Sequence, residues 1–381
     1  MPFHAAHLHT TLAQRLASRI RASGPITFAE FMAECLYHPE LGYYSRSEAH
    51  RFADYYTSVD VHPIFGRLLA RQFAEMWDLL GRPSRFDLVE GGAGTGRLAS
   101  HILDFAARAL PEFYAALHYT AVESSPGRRA QHAQQLAAHI AAGRLASAAG
   151  FPARIAEGCI FSNELLDALP VHRVIGGTNG ALSEICVGLA GDRFADVTTP
   201  PSTHAIAGYF AAQGVTLAEG QHAEAALIAA DWMEAAARRL ARGFVLTIDY
   251  GHEARELYND RHLRGTLLAY RNHRADEHFY AAPGEQDLTA HVSFTALDLA
   301  GQRAGLARTG LVSQSHFLMA LGRGNDFADL YDEGQSETDR LRARLLLKNL
   351  IHPEGMGETF FALIQHKGLD TPPRLAGLQP L

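Results

Sequence analysis

Apolar positions recur at helical spacing over the first eighty residues and at strand spacing after them. Leu12, Leu16 and Ile20 share one face of a first helix. From about 10 to 80 the helical pattern is broken at "SGPIT", "YHPELGYY" and "DYYTSVDVHP". From 86 the texture changes. "FDLVE" reads as a strand, 97 to 110 as a helix, "HYTAVE" as a strand, 126 to 142 as an Ala/Gln-rich helix, and "GCIFSNELLDALP" as a strand running into a turn. "VHRVIGG" and "ALSEICVGL" predict an inserted β-hairpin, 222 to 241 a helix, and "GFVLTIDYG" a strong strand. A polar, His- and Arg-rich excursion fills 251 to about 294. "TGLVSQSHFLMALG", a helical segment at 326 to 350 and "ETFFALIQHKG" then complete the sheet edge, and the Pro-containing tail after 368 is the one candidate for disorder. Strands alternating with helices predict an α/β fold, a parallel sheet with helices on both faces. The expected division is a helical N-terminal cap over 1–80 and a main domain over 81–381, with insertions at about 171–220 and 252–294.

Composition narrows the function classes. A chain of 381 residues can bury a large core, and its formal charge of −7 argues against broad, sequence-independent nucleic-acid binding. No apolar run is long enough to span a membrane, since even "AALIAADWMEAAA" carries Asp231 and Glu234. Cys35, Cys159 and Cys186 are scattered without CxxC spacing, which fits a reducing compartment. No acidic residue precedes Glu30 while Arg15, Arg19 and Arg21 do, a superficial likeness to an organellar transit peptide. The amphipathic first helix accounts for the same residues and is the reading preferred here, with no secretory signal in view. His4, His7 and His9 form HxxHxH in a tail without a packed second shell, and "HEARE" is not HExxH, so no metal site is expected. His273 and His291 read as packing or hydrogen-bonding groups.

The chemistry concentrates in "FDLVEGGAGTGRLASHIL". Glycines between a first strand and helix serve two cofactor classes. A dinucleotide fingerprint, GxGxxG, counted from Gly92 needs a glycine where Arg97 stands. The spacing here is Glu90-x-Gly92-x-Gly94-x-Gly96, and an acidic residue at the strand end repels a pyrophosphate but suits a positively charged ligand. S-adenosylmethionine carries an ammonium and a sulfonium, and ExGxGxG resembles motif I of class I (Rossmann-like) methyltransferases. Glu123 ends the next strand, with Ser124 beside it, where a carboxylate can accept both ribose hydroxyls. The following strand ends at Asn163 and Glu164. Ligands bind outside the carboxyl ends of parallel strands, so all three strand ends are expected to converge on one crevice. A nucleotide-dependent oxidoreductase is disfavoured by the glycine spacing.

Further stretches carry a resemblance to a family. "SGPITFAEFMAECLYHPELGYYSR", "DYYTSVDVHPIFG", "VEGGAGTGRLASHIL", "FSNELLDALPVHRV", "IDYG", "GTLLAYRNH", "DLTAHVSF" and "GMGETFFALIQHKG" occur in the order seen in the MidA family of bacterial and mitochondrial methyltransferases. The resemblance runs from about 12 to 367. It implies S-adenosyl-L-methionine as cofactor, a protein arginine as acceptor and a link to respiratory complex I assembly. A bacterial chain would then be cytoplasmic and a eukaryotic one in the mitochondrial matrix, with a homodimer as the expected assembly. Two stretches depart from the family pattern. Its GDF-x-T-S-P-E becomes Ala53-Asp54-Tyr55-Tyr56-Thr57-Ser58-Val59-Asp60, and its HVDF becomes His291-Val292-Ser293-Phe294, losing an acid.

A planar, strongly basic guanidinium is held best by carboxylates, and Glu164 and Asp167 in "SNELLDALP" are the candidates, following the strand end nearest the cofactor. A turn-capping role is the alternative for Asn163 and Asp167. Thr57 and Ser58, which match the family's T-S pair, are placed on a loop over the cofactor, with helix capping the alternative for Ser58 or Asp60. Asp249, Tyr250 and Gly251 are expected to line the acceptor pocket. Two other readings stay open: a small-molecule or other side-chain methyltransferase, and a non-catalytic assembly factor that retains cofactor binding.

Overall fold

Among the described residues the strands, in chain order, begin with β1 (Phe86–Gly91), β2 (Leu117–Val122), β3 (Leu145–Ala148) and β4 (Ile155–Asn163). β5 (His172–Gly176), β6 (Leu182–Ala190), β7 (Arg193–Thr199) and β8 (His222–Ala225) follow, and then the long β9 (Leu240–His252). The rest are β10 (Leu268–Arg271), β11 (Arg274–Asp276), β12 (Asp287–Thr289), β13 (Val292–Ser293), β14 (Ala307–Ser313) and β15 (Phe360–Lys367). The computed structural model describes residues 11–45, 63–271, 274–324, 327, 336–352 and 359–381. These fall into two units. One comprises Tyr56–Leu165, Met233–Tyr250 and Ala300–Leu381, and the other Met1–Tyr55, Leu166–Trp232 and Gly251–Leu299.

The first unit is built on one sheet of order β14-β15-β9-β4-β1-β2-β3. β1 pairs in parallel with β2 and β4, β4 with β9, and β2 with β3. Only β15 is reversed, antiparallel to both β9 and β14. The chain leaves β1 in one direction toward β2 and β3, and resumes on the other side with β4. That reversal of strand order is where α/β sheets open a crevice at their carboxyl ends. Central strands are buried on both faces and accordingly read as apolar runs, as in "FDLVE" and "VLTI". The helices Ile64–Leu79, Arg97–Ala109 and Gln314–Arg323 close one face, where Phe73 meets Phe161 of β4 at 4.9 Å between ring centres.

The second unit carries two small antiparallel sheets, β7-β6-β5-β8 and β11-β10-β12. Its helix Phe28–Tyr37 starts with a capping box, Thr27 and Glu30 bonding each other's backbone N–H. Phe28 and Phe31 pack with Phe194, Phe279 and Tyr280 around Arg173. The Arg173 guanidinium lies 4.5 Å from the Phe279 ring centre and donates to both oxygens of Asp196 at 2.7 and 3.2 Å. A buried cation is tolerated there because it is paired and stacked.

Several expectations from sequence need correction. Residues 222–225 are not the start of a helix but strand β8, paired antiparallel with β5, and the helix begins at Leu227. The alternation in "HAEA" suits an edge position that the alanines disguise. The helix expected over 126–142 is two, Pro126–Gln135 and Ala137–Ala141, parted at Leu136, which is buried against Gly96. The polar excursion after 251 contains the whole three-stranded sheet β11-β10-β12. The late helix is Glu337–Ile351. The tail after 368 is packed rather than disordered: Leu375 is fully buried, and Ala376 N–H donates to Glu75 at 2.9 Å. The first helix is Thr11–Ser23, with Leu12, Leu16 and Ile20 buried as its pattern implied.

Candidate functional site

The carboxyl ends of β1, β2 and β4 are in register, Gly91 opposite both Val122 and Ser162. That register brings Glu90, Gly92, Gly94, Gly96, Glu123, Ser124, Asn163 and Glu164 to one end of the sheet. Thr57, Ser58 and Asp60 lie outside the described residues. Asp167 belongs to the other unit, where its carbonyl accepts from Ala290 N–H at 2.9 Å.

After β1 the backbone turns through three left-handed glycines, with φ +72° at Gly92, +56° at Gly94 and +87° at Gly96. Each tolerates this because it lacks a Cβ. The space around them differs. A Cβ on Gly92 would sit 2.8 Å from Leu165 Cδ1 and one on Gly96 2.7 Å from Leu136 Cδ1, whereas one on Gly94 would meet nothing within 4 Å. Gly92 and Gly96 therefore pack the turn against the protein, and Gly94 faces open space.

Two carboxylates flank the turn. Glu90, only 4 % exposed, accepts from Tyr119 O–H at 2.6 Å. Burial pushes its carboxyl up to about 7; the Tyr119 bond opposes that shift and the charge of Glu123 adds to it. Tyr119 itself is held well above the usual phenol range by burial and by Glu90. Glu123 accepts Gly94 N–H on Oε2 at 3.0 Å and Ser125 N–H on Oε1 at 2.7 Å. Ser124 Oγ is 3.4 Å from Oε1, longer than a usual O–H···O bond. A carboxylate offers about four lone-pair positions, so Glu123 can take two further donors. The site thus offers a desolvated acid beside an open glycine and a second acid with lone pairs left for further donors.

At the end of β4, Glu164 adopts φ +52°, a conformation uncommon for any residue but glycine, asparagine or aspartate. The surroundings impose it. Glu164 N–H donates to Ile248 O at 3.0 Å, and Leu165 N–H to Asp249 Oδ2 at 3.2 Å. Asp249 is fully buried and also accepts from Tyr250 N–H at 2.8 Å, so it organises the turn from the neighbouring strand. Asn163 Nδ2 donates to Glu164 Oε1 at 3.1 Å, which orients a partly exposed carboxylate. Such strain is characteristic of functional turns.

Tyr119 and His132 were not singled out from sequence. Tyr119 meets Glu90 through the β1–β2 register and His132 meets the turn through the packing of its helix, which leave no local signal beyond a tyrosine in mid-strand and a histidine in a polar helix. Among the described residues, no group of three or more His, Cys, Asp or Glu side chains could hold a metal ion, and no helix is long and apolar enough to cross a membrane. In the other unit, Ser293, which stands where the family pattern has an acid, donates to Gln213 Oε1 at 2.5 Å and accepts from Ala296 N–H at 3.3 Å.

Comparison with known proteins gives concordant results. Residues 68–312 match a family model described as "Putative S-adenosyl-L-methionine-dependent methyltransferase". The chain is 28% identical over 400 residues to the mitochondrial protein arginine methyltransferase NDUFAF7 homolog of Drosophila melanogaster, covering 95% of this chain and 86% of that one. It is 28% identical over 392 residues to the mitochondrial protein arginine methyltransferase NDUFAF7 of Homo sapiens, covering 94% and 85%. A crystal structure of a "likely methyl transferase" from Burkholderia thailandensis, bound to S-adenosyl-homocysteine, superimposes with a TM-score of 0.84 at 31% identity, over 96% of this chain and 94% of that one.

Proposed function

The chain belongs to the MidA family of S-adenosyl-L-methionine-dependent methyltransferases, and from that premise we propose that it methylates an arginine side chain of a protein. S-adenosylmethionine is the cofactor, and the residues at the sheet end fit it. Glu90, once ionised, offers its charge to the ligand's ammonium. Glu123 has two lone-pair positions for the ribose hydroxyls, and Gly94 leaves the close approach open. When bound, the cofactor supplies an electrophilic methyl group with its leaving group already in place. What the chain must add is orientation of the acceptor and exclusion of water.

The observation that carries the arginine reading is Glu164, a carboxylate held in a left-handed turn at the end of β4. A carboxylate grips a guanidinium through parallel N–H···O bonds and leaves one nitrogen to be aimed at the methyl group. The relatives named as protein arginine methyltransferases support the same acceptor. Asp167 is the second candidate carboxylate. We assign the acceptor side to the segments about 171–220 and 252–294, and Thr57 to the cofactor side. The complex I link implied by the family resemblance makes a respiratory subunit the first substrate to test.

The test is to incubate a demethylated extract with labelled S-adenosylmethionine and map the labelled residue by mass spectrometry. Label on arginine is expected, and Glu164→Gln should leave cofactor affinity nearly unchanged while slowing methylation at least ten-fold, the scale of a lost charged hydrogen bond. Label on lysine, a carboxylate or a metabolite would remove the arginine assignment. No label despite tight cofactor binding would favour a binding-only assembly factor.

A further inference from the structure

The helix Pro126–Gln135 follows Glu123 and carries a fully buried histidine, His132. Both ring nitrogens are engaged. Nδ1 lies 2.8 Å from Ser147 Oγ on β3, and Nε2 lies 2.9 Å from the backbone oxygen of Gly94. A carbonyl oxygen can only accept, so Nε2 must carry a proton and donate. In the neutral ring Nδ1 is then the acceptor, and the Ser147 hydroxyl donates to it. The Gly94 carbonyl thus selects the tautomer, and Ser147, whose hydroxyl can serve as the donor, anchors the other side of the ring.

Gly94 is gripped at both of its polar groups, its N–H by the Glu123 carboxylate and its C=O by His132. The same helix face braces the turn a second time, since a Cβ on Gly96 would lie 2.7 Å from Leu136 Cδ1 and 3.2 Å from His132 Cδ2. Gly94 is also the glycine of the turn whose Cβ position faces open space, so no steric neighbour on that side restrains it. A left-handed glycine without steric neighbours can flip a flanking peptide at little cost. In a trans peptide the C=O and the next N–H point oppositely, and no cis peptide bond occurs among the described residues. Holding the Gly94 carbonyl toward His132 therefore directs the Thr95 N–H away from that helix.

We propose that His132 is a positioning residue for the cofactor turn, fixing the Gly94–Thr95 peptide through its Nε2–H while Ser147 fixes the ring. The inference rests on the cofactor reading, because it assigns the clamp to ligand binding rather than to packing alone. Leucine at 132 fills similar space without a donor, and glutamine restores an N–H near the position of Nε2.

The experiment compares wild type, His132→Leu, His132→Gln and Ser147→Ala by calorimetry with S-adenosylhomocysteine, alongside thermal unfolding without ligand. Losing one hydrogen bond should weaken S-adenosylhomocysteine about three- to ten-fold in His132→Leu, with His132→Gln restored to within about two-fold of wild type. Ser147→Ala, which removes the bond that anchors the ring at Nδ1, should weaken binding about two- to three-fold as the ring orientation loosens. Nitrogen NMR of the wild-type imidazole should show the Nε2–H tautomer. If His132→Leu melts lower yet binds like wild type, the ring only packs and the proposal fails. An Nδ1–H tautomer in the wild type overturns it without any variant. Should His132→Leu not fold, unchanged affinity in Ser147→Ala decides against it. Wild-type protein that does not bind S-adenosylhomocysteine overturns the cofactor reading, and this proposal with it.

Discussion

Glu90→Gln should make the ligand-free protein more stable at pH 8 relative to pH 4, at the expense of its cofactor. The Glu90 carboxyl is raised from 4.5 to about 7, chiefly by burial. A carboxyl raised on folding contributes its stability below the unfolded value and loses it as pH climbs to the folded value. At about 1.4 kcal/mol per unit, the wild-type protein loses about 3 kcal/mol from this one group between pH 4.5 and 7, because the native state must accept a desolvated charge. Glutamine cannot ionise and keeps an acceptor for Tyr119 O–H. Any constant cost of burying its NH₂ cancels when the two pH values are compared. Urea unfolding of both proteins at half-unit steps from pH 4 to 8 measures the difference. The curves should diverge by about 3 kcal/mol, mostly between pH 4.5 and 7, with the variant gaining. Calorimetry with S-adenosylhomocysteine at pH 8 should show affinity reduced at least ten-fold, the scale of a lost charged hydrogen bond. Parallel stability curves across the window would refute the reasoning: Glu90 would then titrate as an ordinary carboxylate, and its burial would not be poised for a cationic ligand.

Two further substitutions separate cofactor approach from acceptor handling. Gly94→Val should abolish S-adenosylmethionine binding in calorimetry while the far-UV circular dichroism stays that of wild type, because a β-branched residue at φ +56° strains the turn locally and its side chain enters open space, meeting nothing of the protein within 4 Å. Glu164→Gly should raise the unfolding free energy by about 0.5–1 kcal/mol by relieving φ +52°, and at the same time lower methylation of the arginine substrate, the pattern expected where strain is kept for function.

Local signals and tertiary ones were unequally legible in the sequence. Glu90, the three glycines and Glu123 could be read because a strand, a tight turn and a helix follow one another within forty residues, and each glycine reports a backbone need of its own. The β5–β6 hairpin and the strand β9 were visible for the same reason, in apolar runs bounded by turn residues. What escaped depends on partners far along the chain. The left-handed backbone of Glu164 is dictated by Ile248 and Asp249, more than eighty positions away. Tyr119 acquires its role only when β2 pairs with β1. The break at Leu136 comes from packing on Gly96, and the order of the tail from Glu75 and Phe317. None of these leaves a periodic trace. "LASA" of β3 and "HAEA" of β8 are too short and too rich in alanine to announce strands.

The reversed strand β15 sets the order in which the protein can be completed during synthesis. It is the last strand of this sheet to leave the ribosome, yet its place is inside the sheet, between β9 and β14. Until it arrives, β9 presents an open edge along the run that β15 later covers from Gly243 to Tyr250, and β14 has no partner in the sheet. An apolar, unpaired edge held open through translation is a site for mispairing with other chains. The crevice at the far ends of β1, β2 and β4 can be framed well before that, from strands that pair soon after they emerge. A nascent chain of this protein thus acquires the scaffold of its cofactor site early and its protection against aggregation late, and dependence on chaperones is expected to concentrate in the interval between them.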